Sequence, residues 1–267
     1  MNYGIAIELR NITVSFNKGT PNEIVALNNI SLSVKPGEFI VIVGGNGSGK
    51  STFLRVIAGT VEPDNGMVLL NNRDITNEQD FQRAKIISFV HQDPLLGTCP
   101  NLNLHENMML SAARKWWSAL PYLFRTPEKQ LNVVQMIGLG LEQRLAVELN
   151  NFSGGQRQAI ALAIAFSRRV PLILLDEYLS SLDEATADRV LDFTLQLAHD
   201  ESPTVLLVIH DLDRALRIGK RMVVLRQGVV VSDISEDNVA MLTHRDLKDI
   251  LAGNMEGYNE QESRQGE

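Results

Sequence analysis

The stretch Phe39-Ile40-Val41-Ile42-Val43-Gly44-Gly45-Asn46-Gly47-Ser48-Gly49-Lys50-Ser51-Thr52 decides the fold. Its first five residues are apolar with no polar face, as in a strand covered on both sides within a parallel sheet. That strand runs straight into a glycine loop, and Lys50 to Ala58 then carries a helical pattern that Gly59 stops. Gly44 and Gly49-Lys50-Ser51 stand at the spacing of a P-loop. Glycines let successive backbone N–H groups turn inward onto a phosphate, and the helix that follows adds about half a positive charge at its first turn. Lys50 is placed to reach the β- and γ-phosphates of a nucleoside triphosphate, and the Ser51 hydroxyl to bind Mg2+.

Further along, Leu172-Ile173-Leu174-Leu175 is a second apolar strand, ending in Asp176-Glu177. This is the Walker B arrangement: Asp176 holds Mg2+ directly or through water, and Glu177 orients the attacking water or takes its proton. Val205 to Ile209 is another apolar strand and ends in His210-Asp211. Open α/β sheets place their ligands at such C-terminal strand ends. Ser153-Gly154-Gly155-Gln156 opens a helix, with Ser153 as N-cap and two glycines that allow close approach of an anion. The chain thus holds two glycine-rich helix starts able to grip phosphate, and one lysine between them, which suggests an active site finished by a partner. Read singly, His210 is a strand-end histidine, Gln92 a loop residue after the strand Ile86 to Val90, and Asp183 a turn or helix cap.

Upstream, Ile5, Ile7 and Leu9 alternate with polar residues, as do Ile12, Val14 and Phe16, and then Ile30, Leu32 and Val34, all reading as half-buried strand. Met67 to Leu70 is a short strand, and Gln227-Gly228 turns a hairpin between Val223–Leu225 and Val229–Val231. Leu104 to Ala165 reads as an inserted helical subdomain. Thr243 and Asp246 form a capping box for a last helix with Leu247, Ile250 and Leu251 on its apolar face, and the polar tail after Gly253 is expected to be disordered.

The 267 residues, 44% of them hydrophobic, suffice for one domain with an inserted subdomain. A net charge of -7 argues against a dedicated nucleic-acid binder. The single cysteine, Cys99, forms no internal disulfide and fits a reducing compartment. The N-terminus lacks a secretory pattern, and no run of about 18 apolar residues exists. The expectation is a soluble, cytosolic protein that meets a membrane only through a partner.

Taken together and in this order, the motifs resemble those of the ATP-binding cassette (ABC) ATPases, the nucleotide-binding subunits of ABC transporters, over Ile5 to Ala252. The resemblance implies an α/β fold: a P-loop NTPase (RecA-like) core with an antiparallel β subdomain and an inserted α-helical subdomain at about 93–165. The domain would span 1–252, with 253–267 as tail. It implies that Phe16 stacks on adenine and that Gly44, Gly45, Asn46, Gly47, Ser48, Gly49, Lys50, Ser51, Thr52 and Gln92 bind ATP. Mg2+ would be held by Ser51, Gln92 and Asp176. Glu177, His210 and Lys50 would carry hydrolysis. Ser153, Gly154, Gly155, Gln156 and Asp183 would complete the ATP site of a second copy in a head-to-tail homodimer, so that the γ-phosphate bridges the subunits. Other partners implied are transmembrane permease subunits, whose cytoplasmic helix would meet the segment from Asp93 to Asn107, and indirectly a substrate-binding protein. The protein would sit peripherally on the cytoplasmic face of the plasma membrane.

Gln92-Asp93-Pro94-Leu95-Leu96-Gly97-Thr98, Leu216 to Arg221 and Asp233-Ile234-Ser235 resemble bacterial importer ATPases paired with periplasmic proteins for aromatic amino acids or similar small solutes. An exporter or a lipid- or lipoprotein-extracting ATPase would share every catalytic residue. A non-transport ABC protein would join two cassettes or insert a long coiled coil, and the chain has neither. A guanine-reading GTPase would need an Asn-Lys-x-Asp element after the P-loop; Asn17-Lys18 precedes the loop and lacks the Asp. Two departures stand out. Phe152 replaces the usual Leu before Ser-Gly-Gly, and Tyr178-Leu179 replaces the usual Pro-Thr after the catalytic Glu. Trp116-Trp117, Pro121-Tyr122 and Phe124 form an aromatic cluster that serves local packing or docks the membrane subunit.

Overall fold

The computed structural model describes residues 6–112, 128–137 and 139–254. The chain divides into two compact units, Met1–Ala84 with Thr204–Glu267, and Lys85–Pro203. The aromatic cluster at 116–124 and the tail from 255 onward lie outside the described residues.

The first unit contains β1 (Ile7–Phe16), β2 (Ile24–Val34), β3 (Phe39–Gly44), α1 (Lys50–Ala58), β4 (Asn65–Leu70), β5 (Arg73–Asp74) and α2 (Asp80–Arg83). Strands β2-β1-β4-β5 form an antiparallel sheet in that order. The two alternating runs read separately in the sequence are a single strand, β1. Asn11 sits at φ 52° and the register slips between Leu9 and Ile12, so the buried phase moves from Ile7 and Leu9 to Ile12 and Val14. A bulge of this kind inserts one residue and flips the alternation that follows it. Asn29 at φ 53° mirrors the slip on β2, and Asn11 Nδ2 donates to Asn29 Oδ1 across the pair at 2.9 Å.

After the second unit the chain returns as β8 (Thr204–Val208), α7 (Leu212–Ile218), β9 (Arg221–Arg226), β10 (Val229–Ile234), α8 (Glu236–Val239) and α9 (His244–Ala252). β3 pairs in parallel with both β8 and β9, and β10 closes antiparallel on β9. Ile40 to Val43 are 0% exposed, as the unbroken apolar run requires. The predicted hairpin turn has positive φ at both Gln227 (48°) and Gly228 (77°), the twist that suits a two-residue hairpin. The capping box of α9 is present at Thr243 and Asp246.

The second unit holds β6 (Ile87–Val90), α3 (Leu104–Ala112), α4 (Glu128–Met136), α5 (Gly154–Ser167), β7 (Leu172–Asp176) and α6 (Glu184–Glu201). β6 and β7 are parallel, in register from Ile87↔Leu172 to Val90↔Leu175. α5 is buried on nearly every side from Gln158 to Ala163, which marks it as the central helix of this unit, packed by α3, α4, α6 and β6. No helix among the described residues is long and apolar enough to cross a membrane.

Candidate nucleotide site

Each unit carries some of the sequence-predicted residues. In the first, β3 delivers the chain into the glycine loop at its C-terminal end. Each glycine there has its own reason. A Cβ on Gly44 would collide with the Leu225 carbonyl oxygen and the Ser48 hydroxyl, and one on Gly49 with the Ala26 carbonyl oxygen. Gly49 also caps α1 in the left-handed region at φ 99°. Gly45 and Gly47 meet nothing within 4 Å and, with Asn46, are exposed, so their side of the loop is open to a ligand.

Lys50 begins α1 and is 4% exposed; its Nζ donates to the carbonyl oxygens of Gly44 and Gly45, each at 3.0 Å. The ammonium is thereby folded across the loop that would cradle phosphate. Ser51 and Thr52 follow on the first turn of α1, both half-buried.

Because β3 and β8 run parallel, their C-terminal ends open on one edge. The N–H of Ile209 donates to the carbonyl of Ile42 at 3.2 Å and leaves the next residue, His210, exposed beside the loop. Gly44 to Ser48, His210, Leu212, Arg226, Gln227 and Leu251 line a cavity of about 430 Å3, within the usual size of a small-molecule site. Sequence reasoning missed the buttress of this loop. The Gly228 N–H donates to the Ser48 carbonyl at 3.1 Å, and the Gly228 carbonyl accepts from Asn28 N–H at 2.7 Å. Phe16 stands apart from this cavity, 40% exposed at the end of β1 and paired across the sheet with Ile24.

In the second unit the parallel pair β6 and β7 places Gln92 and Asp176-Glu177 at one strand edge. Asp176 is 5% exposed. Glu177, half-buried, takes φ 47°, a left-handed conformation that costs a non-glycine residue about 1–2 kcal/mol and re-aims the chain as it leaves the strand. Gln92 is exposed and its Nε2 donates to Ser180 Oγ at 3.1 Å, so the residue after β6 is tied to the loop after β7, and its amide oxygen is left to accept.

Ser153 caps α5 with a full capping box: its Oγ accepts from Gln156 N–H at 3.3 Å, and Gln156 Oε1 accepts from Ser153 N–H at 3.1 Å. Ser153 and Gly154 are exposed, and a Cβ on Gly154 would meet nothing. Gly155 differs. A Cβ there would stand 2.6 Å from Thr186 Cγ2 and 3.6 Å from Leu182, so this glycine lets α5 approach the start of α6. Asp183 is the N-cap of α6, its Oδ1 accepting from Thr186 N–H at 3.0 Å, as the plain reading of that residue expected.

Two supports here had no local signal. The Arg144 guanidinium lies over the Phe152 ring at 4.2 Å, a cation–π contact, and donates to Gln156 Oε1 at 3.3 Å and Asn151 carbonyl at 3.2 Å. Gln158, 0% exposed, donates from Nε2 to the His91 carbonyl at 3.3 Å and so ties α5 to the residue before Gln92.

A phosphate-binding loop with a lysine, a strand-end Asp-Glu and a capped Ser-Gly-Gly helix on an α/β fold define a nucleotide-hydrolysing cassette. The family model described as ABC transporter matches residues 27–180, and the chain belongs to that family as an ATP-binding, ATP-hydrolysing subunit. It is 34% identical over 244 residues to the tyrosine transport ATP-binding protein of Clostridioides difficile, covering 90% of this chain and 96% of that one. It is 30% identical over 223 residues to a phosphonates import ATP-binding protein of Bdellovibrio bacteriovorus, covering 81% and 85%. Among solved structures, an ATP-binding cassette from Methanocaldococcus jannaschii, dimeric in a post-hydrolysis state with ADP and Pi, superposes with a TM-score of 0.71 at 31% identity, covering 86% of this chain and 98% of that one.

Proposed function

We propose that the chain powers solute import as a head-to-tail homodimer, with two ATP molecules each held between the P-loop of one copy and Ser153-Gly154 of the other. The observation that carries this reading is the state of α5. Its capping box is complete, yet Ser153 and Gly154 remain exposed, with open space at Gly154 for an incoming anion. That a similar cassette is dimeric with ADP and Pi favours a dimer here.

Within each site, Lys50 and the loop N–H groups bind the β- and γ-phosphates, and Phe16 stacks on the adenine. Gln156 and Asp183 support the partner's site from the ends of α5 and α6. His210 contacts the γ-phosphate, and Glu177 orients the attacking water and takes its proton. The donors Ser51 hydroxyl, Asp176 carboxylate and Gln92 amide oxygen are hard oxygen ligands suited to Mg2+, which would neutralise charge on the phosphates. Permease subunits at the cytoplasmic face of the membrane take up the motion, and a substrate-binding protein supplies the solute. The relatives named for tyrosine and phosphonate transport favour import of a small solute, an aromatic amino acid first among them.

The test is Glu177→Gln. It is expected to bind ATP, lose two or more orders of magnitude in turnover, and elute as a dimer in ATP. Adding Ser153→Arg should abolish that dimer while ATP binding to the monomer persists. A Glu177→Gln protein that stays monomeric in saturating ATP would sink the shared-site reading. Import is tested by reconstituting the subunit with the permease that co-purifies with it and following tyrosine uptake into vesicles.

A further inference from the structure

Phe16 ends a strand that has lost half its support. β1 pairs with β2 up to Phe16↔Ile24, but its ladder with β4 stops at Thr13↔Asn65. Beyond that point the β4 edge of β1 offers backbone groups with no strand to take them. The side chain of Asp64, the residue just before β4, fills the place. Its Oδ2 accepts from Ser15 N–H at 2.7 Å and its Oδ1 pairs with Lys18 Nζ at 2.5 Å. One carboxylate therefore grips the residues on both sides of Phe16. Asp64 is itself anchored to the same strand, its N–H donating to the Thr13 carbonyl at 2.7 Å.

The loop beyond has little slack. Asn17 takes φ 54°, its carbonyl accepts from Thr20 Oγ1 at 2.7 Å, and Glu23 Oε2 accepts from Gly19 N–H at 3.0 Å. Phe16 itself is 40% exposed at the end of the strand that this loop follows. The Lys18 ammonium, helped by the Ser15 N–H and opposed by partial burial, holds the Asp64 carboxyl below its usual range, so it is ionised at neutral pH.

We propose that Asp64 is a positioning residue for nucleotide binding: through Ser15 and Lys18 it sets the height and tilt of the Phe16 ring for the base, without touching the nucleotide. The proposal rests on the reading of Phe16 as the base-stacking residue. It predicts an effect confined to the base. The P-loop grips phosphate through its own backbone, so a ligand with phosphates and no base should not sense Asp64.

The experiment compares calorimetric binding of ATP and of inorganic tripolyphosphate to the full chain, in wild type, Asp64→Ala, Asp64→Asn, Phe16→Ala and the double variant Asp64→Ala/Phe16→Ala. Stacking contacts of this kind set the scale: Asp64→Ala should weaken ATP about three- to tenfold and leave tripolyphosphate within about twofold. Asp64→Asn, which keeps an acceptor for Ser15 but loses the Lys18 charge, should fall between, and it carries the comparison alone if Asp64→Ala does not fold. In the Phe16→Ala background, Asp64→Ala should cost ATP nothing further. Equal weakening of ATP and tripolyphosphate would reduce Asp64 to a structural role and overturn the proposal. So would a loss that persists in the Phe16→Ala background, or wild-type ATP affinity in Asp64→Ala and Asp64→Asn while Phe16→Ala is weakened. If Phe16→Ala itself binds ATP like wild type, the base-stacking reading has failed and the proposal falls with it.

Discussion

Lys50 and Tyr178 show how differently single residues are read. The role proposed for Lys50 comes from spacing alone, and the structure adds that its ammonium is buried against the carbonyls of Gly44 and Gly45. If Lys50 binds phosphate as proposed, Lys50→Ala deletes charge-assisted contacts, and ATP affinity measured by calorimetry is expected to drop by about two orders of magnitude. Tyr178, by contrast, registered in the sequence only as a departure after Glu177. In the structure it is 0% exposed and its hydroxyl donates to Thr194 Oγ1 at 2.9 Å, while the Thr194 hydroxyl donates to the Val190 carbonyl at 2.7 Å. The substitution is absorbed by the packing of α6. Tyr178→Phe removes one buried hydrogen bond and should cost about 1 kcal/mol in denaturant unfolding at neutral pH. Burial pushes the Tyr178 phenol well above its ordinary value of 10.0, against a smaller opposing effect of Thr194. The sign follows from linkage: above pH 10 the unfolded chain releases this proton and the folded one keeps it, so stability falls as pH rises. Wild type should therefore lose stability faster than Tyr178→Phe above pH 10, and the gap between them should close.

Among the elements, α5 and β1 mark the limits of periodicity. The N-cap at Ser153 and its reciprocal partner Gln156 lie three residues apart and were partly legible for that reason. The two glycines between them looked alike in sequence, and only packing distinguishes them. Gly154→Ala places a methyl in open space at a helix start, so thermal stability should hold or rise slightly. Gly155→Ala drives a methyl into Thr186, and overpacking of this kind should cost about 1–3 kcal/mol in a denaturant titration. In β1 the alternation was visible on both sides of Asn11, but the strand read as two because a bulge shifts the buried phase by one residue. Whether a phase slip is a turn or a bulge depends on the strand alongside, here β2, which lies outside any local window.

For the molecule as a whole, Asp64 on β1, Asp183 on α6 and Asp246 on α9 are among the aspartates that hold chain segments in place. Their carboxyls are held below the ordinary value of 3.8, by Lys18 first for Asp64 and by the hydroxyls of Thr186 and Thr243 first for the other two. A depressed carboxyl contributes stability that is present above its ordinary value and lost as pH falls through its folded value. A melting series from pH 7 down should show the decline setting in below about pH 4, and Asp246→Asn, already without its charge, should show a shallower acid limb than wild type. The sequence by itself determined the α/β class, the P-loop, the strand-end acids and the capped Ser-Gly-Gly helix, because each is written in a few consecutive residues whose backbone conformation and chemistry are local. Only the tertiary structure decided that Arg144 stacks on Phe152, that Gly155 is needed by α6 and that Asp64 grips both sides of Phe16. Those contacts join residues brought together by burial of the core, and core burial rewards any sequence of suitable volume and polarity without recording in it which side chains will meet.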